Sequence, residues 1–108
     1  MSQTYTVRLG TALVAAAGSE ELVAVGQPGF TTVIRSVSLI NFAASTNLTS
    51  LLIRTGSEAL NVFRVRLAPE SSTLLDLRQV LLPGEELRLY AELEPVQVLI
   101  TGYQLDAA

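Results

Sequence analysis

The sequence predicts an all-β fold: a single-domain antiparallel β-sandwich, jelly-roll-like, with about eight strands. Three observations lead to this prediction. Short segments with an apolar residue at every second position recur along the chain, which is the period of a half-buried strand. Turn residues separate these segments at intervals of roughly eight to twelve residues. No long segment shows the 3.6-residue period of an amphipathic helix.

In the first two thirds of the chain the predicted strands are short, and glycine, proline or small polar residues separate them. A bend is expected at Gly10, and the turn at residues 26–29 is the clearest break. The predicted extended segments are, in order, residues 4–9, 12–17, 21–25, 31–42, 48–55 and 59–68.

In two of these segments the alternation of apolar and polar residues shifts by one position, so the apolar residues before and after the shift would point to opposite faces of a regular strand. In the segment 31–42 the change predicts a β-bulge near Arg35 and Ser36. A second change follows Val62 in the segment 59–68. Both places are therefore expected to disturb the pairing of their strands.

The segment 74–103 is the most regular part of the chain, and the sequence predicts that it forms a β-meander. Apolar residues occupy every second position from 87 to 93 and again from 96 to 100. A Pro-Gly turn at 83–84 and a Glu-Pro turn at 94–95 separate the three strands, and the glycine of the first turn is expected to adopt a positive φ angle. Because an isolated hairpin is marginal in water, a second sheet must cover this apolar face.

Length and composition restrict the function. At 108 residues the chain has room for one domain, spanning residues 1–108. Apolar residues make up 49% of it and the mean hydropathy is +0.43, so we expect part of the surface to be buried against other chains. The formal net charge of −3 argues against binding to nucleic acid or to an anionic membrane, since both rely on positive charge.

Residues 1–17 are open to two interpretations. Either they form an N-terminal strand or arm that becomes ordered on assembly, or residues 9–17 are the apolar part of a signal peptide ending in small residues. The glycine and threonine at 10–11 interrupt the apolar run, which favours the strand. No run in the sequence approaches the ~18 apolar residues that a membrane-spanning helix needs.

The composition gives little support to catalysis. The chain contains no His, Cys or Lys, so its hydroxyl groups have no evident general base. Paired carboxylates at 20–21, 85–86 and 92/94 border predicted turns, where solvated acids are expected, and none has the spacing of a calcium-binding loop. We therefore expect a protein that is not an enzyme and that uses no cofactor or metal.

Five residues are candidates for an interface between chains. Arg64 and Arg66 lie two apart on a predicted strand, so both project from one face and could bind a phosphate, a sulfated sugar or a partner's carboxylate. They could also only protect an edge strand from unwanted pairing, and of these roles we favour a salt bridge between subunits. Leu99, Tyr103 and Leu105 lie on the face of the last strand that points away from the predicted core. A solvent-facing strand of a monomer normally carries more charge. We expect these residues to contribute to one homo-oligomeric contact.

Part of the sequence resembles a group of viral proteins. The order VSLIN (37–41), a small polar loop, TSLLIRT (49–55), LLDLRQVLLPGEELRLYAE and VQVLITGYQL is similar to small β-sandwich virion proteins of tailed bacteriophages and phage-derived particles. These include capsid decoration proteins, head-spike bases and tail accessory proteins. The resemblance covers about residues 31–105. It implies a structural part of the capsid surface, vertex or tail, present as trimers or rings and assembled with capsid or tail proteins in the bacterial cytoplasm.

Two other classes of function remain open at this point. A carbohydrate- or receptor-binding module would use the same fold, and binding of the isolated protein to glycans would support it. A cellular adhesin or secreted domain would be supported by removal of the N-terminus at Ala17. Among these classes, we expect a homo-oligomeric virion protein, with a trimer favoured.

Overall fold

The computed structural model describes residues 5–14, 18–93 and 95–106, and in these residues it contains strands and turns but no helix. The alternating segments of the sequence become strands because one side of each is apolar enough to be buried while the other remains polar. The strands are β1 (Tyr5–Val14), β2 (Glu20–Val25), β3 (Phe30–Asn41), β4 (Asn47–Thr55), β5 (Glu58–Leu67), β6 (Ser72–Leu81), β7 (Glu86–Ala91) and β8 (Val96–Asp106).

The strands form two sheets of four, and every pairing between neighbours is antiparallel. The first sheet has the order β1-β8-β3-β6, and the second has the order β2-β7-β4-β5. The chain crosses from one sheet to the other at each connection except the β4–β5 hairpin and so builds two interlocked Greek keys. The predicted jelly-roll-like β-sandwich is therefore confirmed.

The predicted β-meander in residues 74–103 is wrong. Strands β6, β7 and β8 form in this segment, but none of them pairs with another. β6 pairs with β3, β7 lies between β2 and β4, and β8 lies between β1 and β3. Side-chain alternation determines which residues face inward but does not determine the partner strand, and here both turns carry the chain across the sandwich.

The core fills the space between the two sheets. Val96, Val98 and Ile100 of β8 are fully buried, as the sequence predicts, and so are Leu87 and Leu89 on β7. Each such side chain contributes roughly 1.5–3 kcal/mol when it is transferred from water to the interior. Leu75 and Leu77 of β6 pack against this core from the edge of the first sheet.

The predicted irregularities lie where the sequence places them. The register of β3 shifts between Ile34 and Ser36 in its pairing with both β6 and β8, which confirms the bulge near Arg35. The register between β4 and β5 also shifts, so that Val62 has no partner.

The bend expected at Gly10 is also present, because the register of β1 with β8 shifts between Arg8 and Gly10. A Cβ atom at Gly10 would lie 2.2 Å from the carbonyl oxygen of Val23, a contact that requires the backbone to move. The absence of a side chain therefore lets β1 approach β2 at the corner between the two sheets. Residues 5–14 are thus part of the sandwich, whereas residues 1–4 and 15–17 of the proposed N-terminal arm lie outside the described residues.

Candidate functional site

The interior of the sandwich offers no site for a small molecule. No ligand-sized cavity opens among the described residues. In the same residues no group of three or more acidic, His or Cys side chains is arranged to hold a metal ion. No helix long and apolar enough to cross a membrane occurs in the described ranges either. The two outer faces of the sandwich are therefore the candidate sites.

The outer face of the first sheet is rich in apolar and hydroxyl side chains, and we call it the apolar face. Its outward positions are those that alternate with the core residues on β1, β8, β3 and β6. Leu74 is 67% exposed and Leu13 is 51% exposed, and Val80 is exposed as well. The outward side chains described on this face are Thr11, Leu13, Thr31, Val33, Arg35, Ser36, Ser38, Ile40, Ser72, Leu74, Asp76, Arg78, Val80, Gln97, Leu99, Thr101, Tyr103 and Leu105.

The apolar face is organised in rows that run across the strands. In one row, Leu99 of β8 lies beside Ser38, and Ser38 lies beside Leu74 of β6. In the next row the hydroxyl groups of Ser36 and Thr101 lie 2.5 Å apart and form a hydrogen bond. This hydrogen bond uses the proton of one hydroxyl and a lone pair of the other, so it offsets part of the cost of removing water from the centre of the face.

The structure places Leu99, Tyr103 and Leu105 on the apolar face, and all three are half-buried by their neighbours in the same sheet. The predicted interface set omitted Leu13 and Leu74, which are the more exposed residues of this face. One signal in the sequence indicates that Leu74 faces outward, because Leu74 lies two residues before Asp76 and four before Arg78 in a segment that alternates between the two sides.

The outer face of the second sheet carries charged side chains in pairs, and we call it the charged face. Arg54 of β4 donates from Nε to Oε1 of Glu20 at 2.7 Å and from Nη2 to Oε2 at 2.5 Å. This is a bidentate contact between the centre of the sheet and its β2 edge. On β7, Arg88 donates from Nε to Oε1 of Glu86 at 2.9 Å. Leu52, which also points outward here, is only 6% exposed, and its cross-strand neighbours are Arg88 and Asn61.

The contact with Arg54 changes the acidity of Glu20. The hydrogen bonds that the guanidinium donates stabilise the ionised carboxylate and lower its pKa below the ordinary value, and partial burial opposes this only in part. The same contact raises the pKa of Arg54. The pair is therefore fully ionised at neutral pH, and its charges are compensated within one chain.

Arg64 and Arg66 lie on β5, the edge strand of the charged face, and both are exposed. Neither side chain makes a hydrogen bond or ion pair with another described residue. Their common outward direction matches the sequence prediction, but they lie on the side of the sandwich opposite Leu99. A single flat contact therefore cannot include both the two arginines and the leucine of the same chain.

Two asparagines stabilise one end of the sandwich. The Nδ2 group of Asn41 donates to the carbonyl oxygens of Ser45 and Ala68, and its Oδ1 accepts from the amide of Ala43. Asn47, which is 0% exposed, donates from Nδ2 to the carbonyl oxygen of Leu93 at 2.6 Å and accepts from the amide of Leu93 at 2.9 Å. Asn47 is the first residue of a glycosylation sequon, and its burial leaves no room for a glycan.

At the other end, Glu85 stabilises the turn between β6 and β7. Its Oε1 accepts from the amide of Leu82 at 2.7 Å, and its Oε2 accepts from the hydroxyl of Thr55 at 2.7 Å. Gly84 has a φ angle of 84°, as the sequence predicts. Three of the six paired carboxylates noted in the sequence, at positions 20, 85 and 86, are thus bound to other groups of the chain, and Glu94 lies outside the described residues.

The comparisons with known proteins show no family. No protein-family model matches the chain, and no curated protein matches it. Among solved structures, it is similar to one described as "Structure of infectious bursal disease virus Gx strain", with a TM-score of 0.42 and 8% sequence identity. The match covers 98% of this chain and 30% of that chain, so this chain spans less than a third of the viral one. A likeness this distant carries no argument about function.

Proposed function

We propose that the protein is a non-enzymatic structural component of a tailed phage or phage-like particle. In this proposal it acts as a homo-oligomer, with a trimer favoured, on the capsid surface, vertex or tail. Its apolar face packs against other copies or against neighbouring capsid or tail proteins, and the particle is assembled in the bacterial cytoplasm. Neither nucleic acid nor a membrane is a partner.

The observation that carries this proposal is the contrast between a complete core and an apolar face that remains open. The buried side chains between the sheets fill the interior without using any residue of the apolar face. Leu13 and Leu74 nevertheless expose half or more of their surface on that face. Exposed apolar surface of this kind, next to few charges, is typical of a contact between proteins.

The carbohydrate- or receptor-binding alternative has less support. Recognition of sugars commonly uses aromatic rings grouped on one surface, whereas here the described aromatics are scattered. Tyr103 lies on the apolar face and Tyr90 lies on the charged face. Phe30 begins β3, and Phe42 directly follows the last residue of that strand. A glycan therefore remains possible as a ligand only at a site that uses few aromatic rings.

The test is a pair of double variants on the two faces. Leu99→Asp with Tyr103→Asp adds two carboxylates to the apolar face, where association would bury them without partners. We expect the self-association constant, measured by sedimentation velocity over a concentration series, to fall at least about a hundredfold. Leu22→Asp with Tyr90→Asp makes the same two changes on the charged face and should leave association unchanged.

Two further measurements complete this test. Circular dichroism checks that each variant remains folded, and Leu13→Asp changes an exposed side chain of the apolar face with little risk to the fold. Equal loss of association in both double variants would contradict a specific role of the apolar face. A wild-type monomer at all concentrations would exclude self-assembly in solution. A particle structure in which Leu99, Tyr103 and Leu105 are open to solvent would overturn the proposal.

A further inference from the structure

Strand β6 is an edge strand with a free side. It pairs with β3 on one side only, and among the described residues no other strand pairs with the remaining side. Its outward side chains are all exposed, and Leu74 among them is the most exposed large apolar residue described. The strand is ten residues long and contains no proline. A long edge with unpaired backbone groups can add a strand from another chain.

The charges on β6 do not block pairing of this edge with a second copy. Edge strands are commonly protected by charges that would meet like charges in a neighbouring strand. Here Asp76 and Arg78 have opposite signs, lie two residues apart and point outward, since Leu75 and Leu77, which alternate with them, pack toward the core. Neither charged side chain makes a hydrogen bond or ion pair with another residue that the structure describes.

The outward residues of β6 are self-complementary about Leu77. If two copies of β6 pair in antiparallel orientation with Leu77 on a two-fold axis, Asp76 of each copy faces Arg78 of the other. In the same register, Leu74 faces Val80 across the new pair. Opposite charges and apolar side chains placed directly across two strands are the pairs that stabilise a sheet. Moving the axis to Asp76 or to Arg78 would instead bring like charges together.

We propose that the free edge of β6 is a docking site for β6 of a second copy of this chain, paired antiparallel about Leu77. The pairing joins two four-stranded sheets into one sheet of eight strands and makes the two apolar faces continuous. This inference goes beyond the proposed function, because it concerns an edge rather than a face and requires neither a trimer nor a virion. A single edge contact buries less than the ~1,200 Å² of a standard interface, so the isolated dimer is weak.

Charge exchange tests the pairing. Asp76→Arg places two arginines on each edge and Arg78→Asp places two aspartates, so each single variant should dimerise at least about tenfold more weakly than wild type. The double variant D76R/R78D restores opposite charges across the axis and should regain the wild-type dimer. An equimolar mixture of D76R and R78D should form a heterodimer, which native mass spectrometry distinguishes by mass. Sedimentation equilibrium up to about 1 mM protein covers the affinity expected of a weak contact.

The experiment separates this inference from the proposed function when it is repeated in the Leu99→Asp, Tyr103→Asp background. If the apolar face does not associate but β6 does pair, D76R and R78D should still lose the dimer when Leu99→Asp and Tyr103→Asp are present. The double variant D76R/R78D should still regain it. If β6 does not pair, D76R/R78D and the mixture will not regain any dimer that the single variants lose, while association through the apolar face still depends on Leu99. A wild-type edge that does not dimerise at any concentration would overturn the inference. The absence of a heterodimer from the mixture would also overturn it. In that case, the irregular pairing of β6 opposite Arg35 would serve to turn this edge away from partners.

Discussion

On the charged face, Glu20 and Glu86 each contact an arginine of the same chain, and Leu52 is almost fully covered although it points outward. On the apolar face, Leu74 also points outward but lies on the edge strand β6 and is 67% exposed. Both faces belong to sheets of four antiparallel strands with a shared core. Two causes therefore contribute to the difference: Leu74 has a neighbouring strand on one side only, and long arginine side chains can cover an apolar neighbour whereas short Ser and Thr side chains cannot.

This comparison indicates which face needs a partner. Ion pairs within one chain compensate their own charges and gain little from the approach of another protein. Exposed leucines gain free energy whenever a partner removes them from water. The charged face can therefore remain the solvent side of the protein, and the apolar face is the side on which assembly is expected. The following predictions test this distinction between the two faces.

The largest effect is expected from Gly10→Ala in the first sheet, which carries the apolar face. The new Cβ atom would lie 2.2 Å from the backbone oxygen of Val23, and neither strand can move freely because both pair with other strands. We expect a loss of about 2 kcal/mol or more in the free energy of unfolding, measured by urea denaturation. Because β1 carries Leu13, association should weaken as well. A fully stable variant would contradict the close approach of β1 to β2 at Gly10.

A smaller effect is expected at the turn between β6 and β7, which joins the two sheets and belongs to neither face. Gly84 has a φ angle of 84°, in a region that β-branched residues rarely adopt. Gly84→Val should cost about 1 kcal/mol or more in stability, measured as a lower melting temperature. Association, corrected for the unfolded fraction, should be unchanged. An unchanged melting temperature would show that the turn tolerates a negative φ.

Features that depend on neighbours in the sequence could be predicted from it. The alternation of β8 correctly identified Val96, Val98 and Ile100 as core, because inward and outward directions follow from strand geometry alone. The change of parity at Arg35 identified the bulge, and Pro83 before Gly84 identified the turn with positive φ. Each of these signals lies within a few residues of the structure that it predicts.

Features that depend on distant pairing could not be predicted in this way. The meander was wrong because alternation does not say whether a turn closes a hairpin or crosses the sandwich. For the same reason the sequence could not show that Arg64 and Leu99 lie on opposite faces. The contact between Glu20 and Arg54 joins residues 34 positions apart and depends on the order of strands in the second sheet. The sequence thus identifies the outward residues of each strand separately, and only the topology shows which strands place their outward residues on the same face.

The smallest effect is expected on the charged face, where pH should modulate stability through Glu20. The hydrogen bonds from Arg54 lower the pKa of Glu20 in the folded protein, so the unfolded chain binds a proton more readily. The stabilisation is present above the ordinary glutamate pKa of about 4.3 and is lost as the pH falls through the lower folded pKa. Glu20→Gln should remove this part of the acid sensitivity, with a loss of only a few degrees in melting temperature at neutral pH.

Glu58→Gln is the matched control, since Glu58 is exposed and makes no ion pair with another described residue. Thermal melts between about pH 2 and pH 7 should show a shallower dependence for Glu20→Gln than for wild type, and the wild-type dependence for Glu58→Gln. Identical curves for both variants would mean that the Arg54 contact does not stabilise the folded state. Association should not respond to either substitution, because neither residue lies on the apolar face. A change of association in Glu20→Gln alone would instead extend the interface to the charged face and would remove the distinction between the two sides.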